Sequence, residues 1–305
     1  MAAQPSSHRL DVPGAQLYYE VRGTGPLLLV AGQPMTSGPF GPLADLLAEH
    51  YTVVTYDPHG VGESTVEDSS LAVTPEVEAD DLANIIDAVG EGPADVFGTS
   101  GGAVAGLALA VRHPDKVRTL IAHEPPIPEL LPDAPHIHAV VGDIEDTYRA
   151  YGTGAAWGKF VPLVMYSGLV TDAGVPPVMW PPAGAEGQDA AGSEGPDDAA
   201  TQEPPAPSEK QQADDELFFL RMLKPFLGYE PVVDALHSGT PRVVIGIGEA
   251  SREEIPARSA IALAEELGTP PTRFPGHHAG FMDDPVGFAR TISEVLSETA
   301  AEAKP

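Results

Sequence analysis

A serine flanked by glycines, at Gly98, Ser100 and Gly102, is the clearest chemical signal in this 305-residue chain. Residues 94–97 before it read as a short strand, and residues 103–113 after it read as a helix of mostly small side chains. A serine on so tight a strand-to-helix turn projects clear of the sheet, and glycines leave room where strand and helix crowd together. The pattern therefore indicates a nucleophilic serine. An ordinary turn that happens to contain serine is the alternative.

A serine hydroxyl is a weak nucleophile near neutral pH. It needs a base within hydrogen-bonding reach, and that base needs an acid to orient it. Ten histidines compete for the first role and 45 acidic residues for the second. The elements that surround the serine must therefore decide which of them meet it.

Apolar runs that suit strands alternate with helical patterns on both sides of the serine. Predicted strands cover residues 10–12, 15–22, 27–31, 52–56, 94–97, 117–122, 242–247 and 272–275. Predicted helices include residues 75–89, 103–113, 255–267 and 285–296. This alternation predicts right-handed βαβ units and a mostly parallel sheet.

The alternation is interrupted between residues 125 and 239, where no stretch has a convincing strand pattern and apolar residues hint at helices. Residues 181–215 have no large apolar side chain and are rich in Ala, Pro, Gly and acidic residues, which predicts a mobile loop. The chain is therefore expected to consist of a core, residues 1–124 and 240–305, and a helical insertion, residues 125–239.

The composition excludes several classes of partner and chemistry. With 16 basic and 45 acidic residues the formal net charge is −29, a field that repels nucleic acid and anionic membrane surfaces. The absence of cysteine excludes disulfides and thiolate catalysis. No apolar run approaches the ~18 residues of a membrane helix, and residues 1–10 lack the apolar segment of a secretory signal. We expect a cytoplasmic protein without nucleic-acid or membrane partners.

A serine turn in mid-chain, a helical insertion after the following strand, and a late strand followed by a histidine together resemble the α/β-hydrolase superfamily. The resemblance extends from Leu10 to about Leu296. It implies an α/β-hydrolase fold, with a mostly parallel central sheet flanked by helices and the insertion as a helical cap. It also implies a hydrolase that needs no metal or other cofactor and cleaves a small-molecule ester or lactone through an acyl-enzyme.

The resemblance also assigns the base and the acid. The superfamily's base lies in a loop similar to P-G-x-H-x-G-F after the last strand, and His278 holds that position here, with the neighbouring His277 as the alternative. Its acid is often an aspartate in a G-x-x-D turn, where this chain has Ser251. A second arrangement puts the acid directly after the strand that follows the serine helix, at the sheet edge where catalytic groups collect. Glu124 is there, 24 residues after Ser100, so we predict it as the acid, with Glu249 as the alternative.

The negative oxygen that forms during acyl transfer needs two fixed donors. The resemblance implies that one is the backbone N–H of Gly101, which opens the helix after the serine and has the positive end of its dipole. The second is expected from the loop after residues 27–31, where the superfamily's H-G-x maps its donor onto Gln33.

The insertion contains both tryptophans of the chain and many of its other large apolar side chains. Some must form the core of the insertion, and others are expected to face the serine, since pockets are lined mainly by such groups. The predicted pocket residues are Gly32, Trp157, Phe160, Tyr166, Phe219 and His277. An apolar pocket within an acidic exterior predicts neutral, bulky, apolar substrates rather than acetates or charged esters.

Other interpretations remain open at this stage. A glutamate so soon after the serine also resembles bacterial zearalenone-lactone hydrolases, which implies a macrocyclic aromatic lactone as substrate. Cofactor-free haloperoxidases share the triad, so perhydrolysis is an alternative activity. A non-catalytic ligand-binding relative is a third reading, although both the serine and the base are retained. The loop with Asp57, His59 and Glu63 is interpreted as a turn rather than a metal site. A homo-oligomer is left open.

Overall fold

The structure is a computed structural model that describes residues 4–90, 92–175 and 208–302. Its strands lie at Ser6–Val12 (β1), Ala15–Arg22 (β2), Leu27–Ala31 (β3), Thr52–Tyr56 (β4), Thr65–Val66 (β5), Ala94–Thr99 (β6), Val117–His123 (β7), Arg242–Gly248 (β8) and Thr272–Phe274 (β9). Its helices lie at Gly41–Leu47 (α1), Pro75–Val89 (α2), Gly101–Arg112 (α3), Ala134–Tyr151 (α4), Thr153–Met165 (α5), Glu209–Leu217 (α6), Leu223–Leu227 (α7), Val233–Ser238 (α8), Ile255–Glu266 (α9), Gly280–Asp283 (α10) and Pro285–Glu302 (α11).

The strands form one sheet in the order β1-β2-β4-β3-β6-β7-β8-β9, with β5 paired to β2. From β4 to β9 every pair along this order is parallel, whereas β1, β2 and β5 add antiparallel pairs at one side. The prediction of a mostly parallel sheet flanked by helices is therefore confirmed. The parallel strands place their carboxyl ends at one edge, where β6 leads to Ser100 and β7 leads to Glu124.

Helices cover both faces of the sheet. Leu28 and Val30 pack in the cluster that contains α1 and α11, whereas Leu29 between them packs in the cluster that contains α2, α3 and α9. Successive side chains of a strand point to opposite faces, so a strand buried on both sides reads as a continuous apolar run. Helix α2 begins at Pro75, as predicted, and the Thr74 hydroxyl caps it by accepting a hydrogen bond from the N–H of Val77, at 3.4 Å.

The insertion between β7 and β8 differs from the prediction in where the loop ends. The mobile loop was predicted to end at residue 215, but α6 begins at Glu209, after Ser208 caps the helix by accepting from the N–H of Gln211, at 3.1 Å. An ion pair four residues apart, between Lys210 and Asp214, adds to the stability of α6. The rest of the predicted loop, residues 181–207, lies outside the described residues. Among the helices that are described, none combines the length and apolar character needed to cross a bilayer.

The helical path continues from α6 into α7 through one π-helical turn, Phe218–Met222. A π turn adds a residue to the helical repeat, so it rotates the side chains that follow relative to an uninterrupted α-helix. The apolar pattern that indicated helices in the insertion gave no sign of this change of phase.

Candidate active site

The turn between β6 and α3 holds Ser100 in a conformation that non-glycine residues rarely adopt, with φ of 54° and ψ of −127°. The surrounding backbone is packed too closely for side chains. A Cβ at Gly102 would lie 2.2 Å from the carbonyl carbon of Ala31, and one at Gly98 would lie 2.4 Å from the carbonyl oxygen of Gly102. Both glycines of the pattern are therefore required by sterics, and the strained turn places Ser100 in the lining of two cavities.

His278 and Glu124 come together although 154 residues separate them. Nδ1 of His278 lies 2.8 Å from Oε2 of Glu124. The other carboxyl oxygen of Glu124 accepts a hydrogen bond from the N–H of Gly248, at 2.8 Å. The backbone N–H of Glu124 donates to the carbonyl oxygen of Gly246, at 2.9 Å. Glu124 is therefore held between the ends of β7 and β8, and its side chain is only 1% exposed.

The charge of Glu124 is stabilised despite this burial. Burial alone would raise the pKa of the carboxyl group, but the hydrogen bond with His278, the nearby imidazoles and a hydrogen bond with Ser251 lower the pKa to about 2. The group is then charged throughout the neutral range. A charged acceptor at Nδ1 favours the tautomer with its proton on Nδ1, which leaves Nε2 of His278 as the basic nitrogen.

The alternative acid lies elsewhere. Glu249 is exposed and lines a separate surface cleft with Arg273 and Glu294. Glu124, rather than Glu249, is the carboxyl group that the structure places against His278.

The two predicted oxyanion donors are neighbours. A Cβ at Gly101 would lie 2.7 Å from the carbonyl oxygen of Gln33, so the loop after β3 packs directly on the first turn of α3. N–H groups in the first turn of a helix have no partner within that helix and carry the positive end of its dipole. The side chain of Gln33 is 2% exposed and turns toward Glu78, to which its Nε2 donates at 2.6 Å.

Two apolar cavities meet at Ser100. Their shared wall consists of Gln33, Pro34, Ser100, Phe160 and Val164. The first, here the Gly101 cavity, is also lined by Gly101, Pro126, Ile137, Leu163, Phe218, Met222, Leu223, Phe226, Leu227, Ile255 and Pro256. The second, here the His278 cavity, is also lined by Met35, Thr99, Trp157, Val161, Met165, His278, Ala279 and Phe281.

Two of the six predicted pocket residues, Trp157 and Phe160, line these cavities. Phe219 does not, because it is 1% exposed and packs in the core of the insertion. Its ring centroid lies 5.4 Å from that of Tyr148 and 5.0 Å from that of Trp157. The residue before it, Phe218, lines the Gly101 cavity instead.

The other three predicted pocket residues are also absent from the lining of both cavities. Gly32 is covered by Phe40, because a Cβ there would lie 2.2 Å from the Phe40 ring. Tyr166 follows the end of α5 and is half-buried against the core cluster. His277 turns outward, with its Nε2 3.1 Å from the carboxyl group of Asp283.

Several residues around the site were not predicted. Met35 and Phe281 line the His278 cavity, and their nearness in sequence to Gln33 and His278 was the available signal. The buried Glu78 was also missed. The helical pattern of the sequence could have indicated that Glu78 is buried, because Glu78 precedes Leu82 by four residues and so lies on the buried face of α2.

Comparison with known sequences gives two findings. A family model described as the alpha/beta hydrolase fold matches residues 25–190. The chain is also 30% identical over 297 residues to the uncharacterized hydrolase YraK of Bacillus subtilis (strain 168), an alignment that covers 95% of each protein.

Solved structures share the architecture. A thermophilic esterase from Thermogutta terrifontis superposes with a TM-score of 0.67 at 20% identity, covering 97% of this chain and 99% of that one. The enol-lactonase from Burkholderia xenovorans LB400 superposes with a TM-score of 0.57 at 16% identity, covering 95% of this chain and 100% of that one. At these identities the likeness concerns the fold.

Proposed function

The chain belongs to the α/β-hydrolase family, and on that premise we propose that it is a serine hydrolase that cleaves a carboxylic ester or lactone. The observation that carries the proposal is the 2.8 Å contact between Nδ1 of His278 and the buried carboxyl group of Glu124. Ser100, on its strained turn, lines the same cavity as His278. A nucleophile, a base and an orienting acid in this relation are the requirements of acyl transfer.

In the first step, the Ser100 oxygen attacks the substrate's carbonyl carbon while Nε2 of His278 takes the hydroxyl proton. The charge of Glu124 stabilises the imidazolium that forms. The carbonyl oxygen becomes an oxyanion and accepts hydrogen bonds from the N–H groups of Gly101 and Gln33.

In the second step, the tetrahedral intermediate collapses and the bond to the alcohol oxygen breaks. That oxygen takes the proton from Nε2 of His278, and the acyl group stays on Ser100 as an ester. Water then attacks this ester by the same route, with His278 again as the base. The products are the carboxylic acid and the free serine.

The two cavities suggest how a substrate is oriented. The leaving alcohol oxygen must reach Nε2 of His278, so the alcohol portion occupies the His278 cavity. The acyl chain then extends into the Gly101 cavity. A lactone joins both portions in one ring, and such a ring must lie along the shared wall formed by Phe160 and Val164.

The cavity walls favour neutral, apolar substrates. Apart from the catalytic groups, the lining residues are aliphatic, aromatic or thioether side chains with few polar groups. A charged substrate would lose its hydration there without gaining an ionic partner. The esterase and the enol-lactonase of the same fold are consistent with ester or lactone chemistry on this scaffold.

The test is a panel of neutral chromogenic esters of graded acyl length, together with lactones that include a macrocyclic aromatic lactone of the zearalenone type. We expect larger apolar esters or lactones to be preferred over acetate, and we expect Ser100→Ala to abolish turnover with an unchanged circular dichroism spectrum. Substantial turnover by purified, folded Ser100→Ala would refute the assignment. Saturable binding of these ligands without turnover by the unaltered protein would favour a binding protein instead.

A further inference from the structure

A buried polar cluster lies beneath the Gln33 loop, and apart from the backbone N–H of Gln33 it takes no part in the mechanism above. It consists of Gln33, Tyr56, His59, Glu78 and Asp81, and none of these residues is more than 9% exposed. Buried polar groups are retained at a cost in desolvation, so a cluster next to a candidate oxyanion hole calls for an account of its contacts.

Glu78 is the centre of this cluster. Its Oε2 accepts hydrogen bonds from the Gln33 side-chain amide, at 2.6 Å, and from the Tyr56 hydroxyl, at 2.7 Å. Its Oε1 accepts from the backbone N–H of His59, at 2.9 Å. Gln33 and Tyr56 also contact each other directly. All three donors to the carboxyl group are neutral, and it has no cationic partner among the residues that the structure describes.

The charged groups around Glu78 do not compensate its charge. On α2, Asp81 adds a second carboxyl group, and the His59 ring is paired with that group at 2.7 Å. From the insertion, Lys210 donates to the Gly60 carbonyl oxygen and forms an ion pair with Asp214 rather than with Glu78.

On the outer side of the same helix, the charges are paired among themselves. Asp80 binds both Arg112, the last residue of α3, and His113, which follows it, and the Asp80 side chain is 45% exposed.

The proton affinity of Glu78 follows from these contacts. Burial, followed by the charge of Asp81, raises the pKa of Glu78 to about 7, although the hydrogen bonds from Tyr56, Gln33 and His59 oppose the shift. The carboxyl group therefore gains and loses a proton within the working range of a typical hydrolase.

Gln33 can respond to that proton. Its Oε1 is buried and has no hydrogen-bond partner within the described part of the chain, while its Nε2 donates to the Glu78 carboxylate. A protonated Glu78 must donate instead of accept, and Nε2 cannot accept. Rotation of the amide would bring Oε1 toward the new donor. The carboxylate form and the protonated form of Glu78 therefore favour two different arrangements of the Gln33 side chain.

We propose that Glu78 is a positioning residue that holds the Gln33 loop in its oxyanion-binding arrangement in its carboxylate form and releases it on protonation. The backbone of Gln33 packs against Gly101, because a Cβ at Gly101 would lie 2.7 Å from the Gln33 carbonyl oxygen. A change in the Gln33 side chain is therefore passed directly to the candidate oxyanion hole. This inference rests on the proposed ester or lactone hydrolysis.

Glu78→Gln tests the proposal because a side-chain amide at this position presents a donor, as the protonated acid does. We expect kcat to fall about tenfold while KM changes little, since the oxyanion contact strengthens in the transition state. In the unaltered enzyme, protonation of Glu78 should lower kcat by a similar factor. A plot of log kcat/KM against pH should then have a steeper acid limb near pH 7 in the unaltered enzyme than in Glu78→Gln, which lacks the ionisation of Glu78.

Asp80→Asn is the matched control, because it removes the same charge from the same helix two residues away, on the outer face. It should keep the steeper acid limb. Tyr56→Phe is the second variant, for the case in which Glu78→Gln does not fold. Loss of the Tyr56 donor destabilises the Glu78 carboxylate, so its ionisation should move to higher pH.

Infrared spectroscopy follows the protonation of Glu78 in the absence of substrate. A protonated, buried carboxyl band should titrate near neutral pH in the unaltered protein and in Asp80→Asn, and be absent from Glu78→Gln. The proposal is overturned if folded Glu78→Gln keeps the kcat and acid limb of the unaltered enzyme, or if Tyr56→Phe leaves the ionisation unmoved. Failure of the proposed hydrolysis would be recognised separately, because Ser100→Ala would then retain turnover or the unaltered enzyme would have none.

Discussion

Two buried glutamates support the candidate active site, and they differ in what surrounds them: Glu124 contacts His278, and Glu78 contacts Gln33. Burial raises the pKa of both Glu124 and Glu78. Glu124 meets the imidazole of His278, and the outcome is a pKa of about 2. Glu78 meets only neutral donors and lies near the carboxyl group of Asp81, and the outcome is a pKa of about 7. The partner, rather than the depth of burial, decides which carboxyl group keeps its charge.

This difference suits the two glutamates to different tasks. A carboxylate that stays charged at every working pH suits the orientation of a base. A carboxyl group that titrates near neutrality suits a contact that responds to pH.

Replacement of Glu124 should have the largest effect on activity. Glu124→Gln keeps the shape of the side chain but removes the charge that stabilises the His278 imidazolium, so kcat should fall on the order of 10³-fold or more. Glu249→Gln is the control and should change kcat little, because Glu249 is exposed and lies in a separate cleft. Steady-state kinetics on one ester would decide. A large effect of Glu249→Gln with a small effect of Glu124→Gln would instead identify Glu249, after β8, as the acid.

A matched pair of methionines tests the two cavities. Met222 lines the Gly101 cavity, and Met35 lines the His278 cavity. Met222→Ala should shift the preferred acyl length, whereas Met35→Ala should shift the preferred alcohol size, each by about tenfold in relative kcat/KM. The measurement is a matrix of esters that vary in acyl length and alcohol size, with melting temperatures as the check on folding. If both variants changed the same preference, the proposed orientation would be wrong.

The contributions of the two glutamates to stability should also depend on pH in opposite directions, with an effect of several degrees in Tm. A lowered pKa in the folded state gives Glu124 a stabilising contribution that is present above about pH 4.5 and is lost as pH falls toward 2. A raised pKa gives Glu78 a contribution that is present below about pH 4.5 and is lost as pH rises toward 7.

Melting curves from pH 3 to 8 test the direction in which each contribution changes with pH. Glu124→Gln should flatten the loss of Tm on the acid side, and Glu78→Gln should flatten the decline of Tm toward neutral pH. Identical curves for the two variants would contradict the contrast.

The sheet could be predicted from local patterns, and the candidate triad from those patterns together with the family resemblance. Buried parallel strands read as continuous apolar runs, and Leu27–Ala31 and Thr52–Tyr56 have the predicted bounds. Glu124 could be proposed as the acid because parallel strands bring their carboxyl ends to one edge, so distance along the chain does not matter there.

The cavity lining could not be predicted in the same way. Phe218 and Phe219 are adjacent, and one lines the Gly101 cavity while the other packs in the core. The π turn at Phe218–Met222 shifts the helical phase, so a period of 3.6 residues does not tell which ring faces the cavity. The partners of Glu78 come from loops and strands far away in the chain, so helical phase predicts its burial but not its contacts.

Covalent labelling is the most direct test of the central claim, that Ser100 is a nucleophile activated by His278 and Glu124. A serine-directed organophosphorus reagent, followed by intact mass measurement and peptide mapping, requires no knowledge of the natural substrate. We expect one adduct per chain, on Ser100, no adduct in Ser100→Ala, and much slower labelling in Glu124→Gln than in Glu249→Gln. An adduct on another residue, or equal labelling of folded Ser100→Ala, would contradict the account.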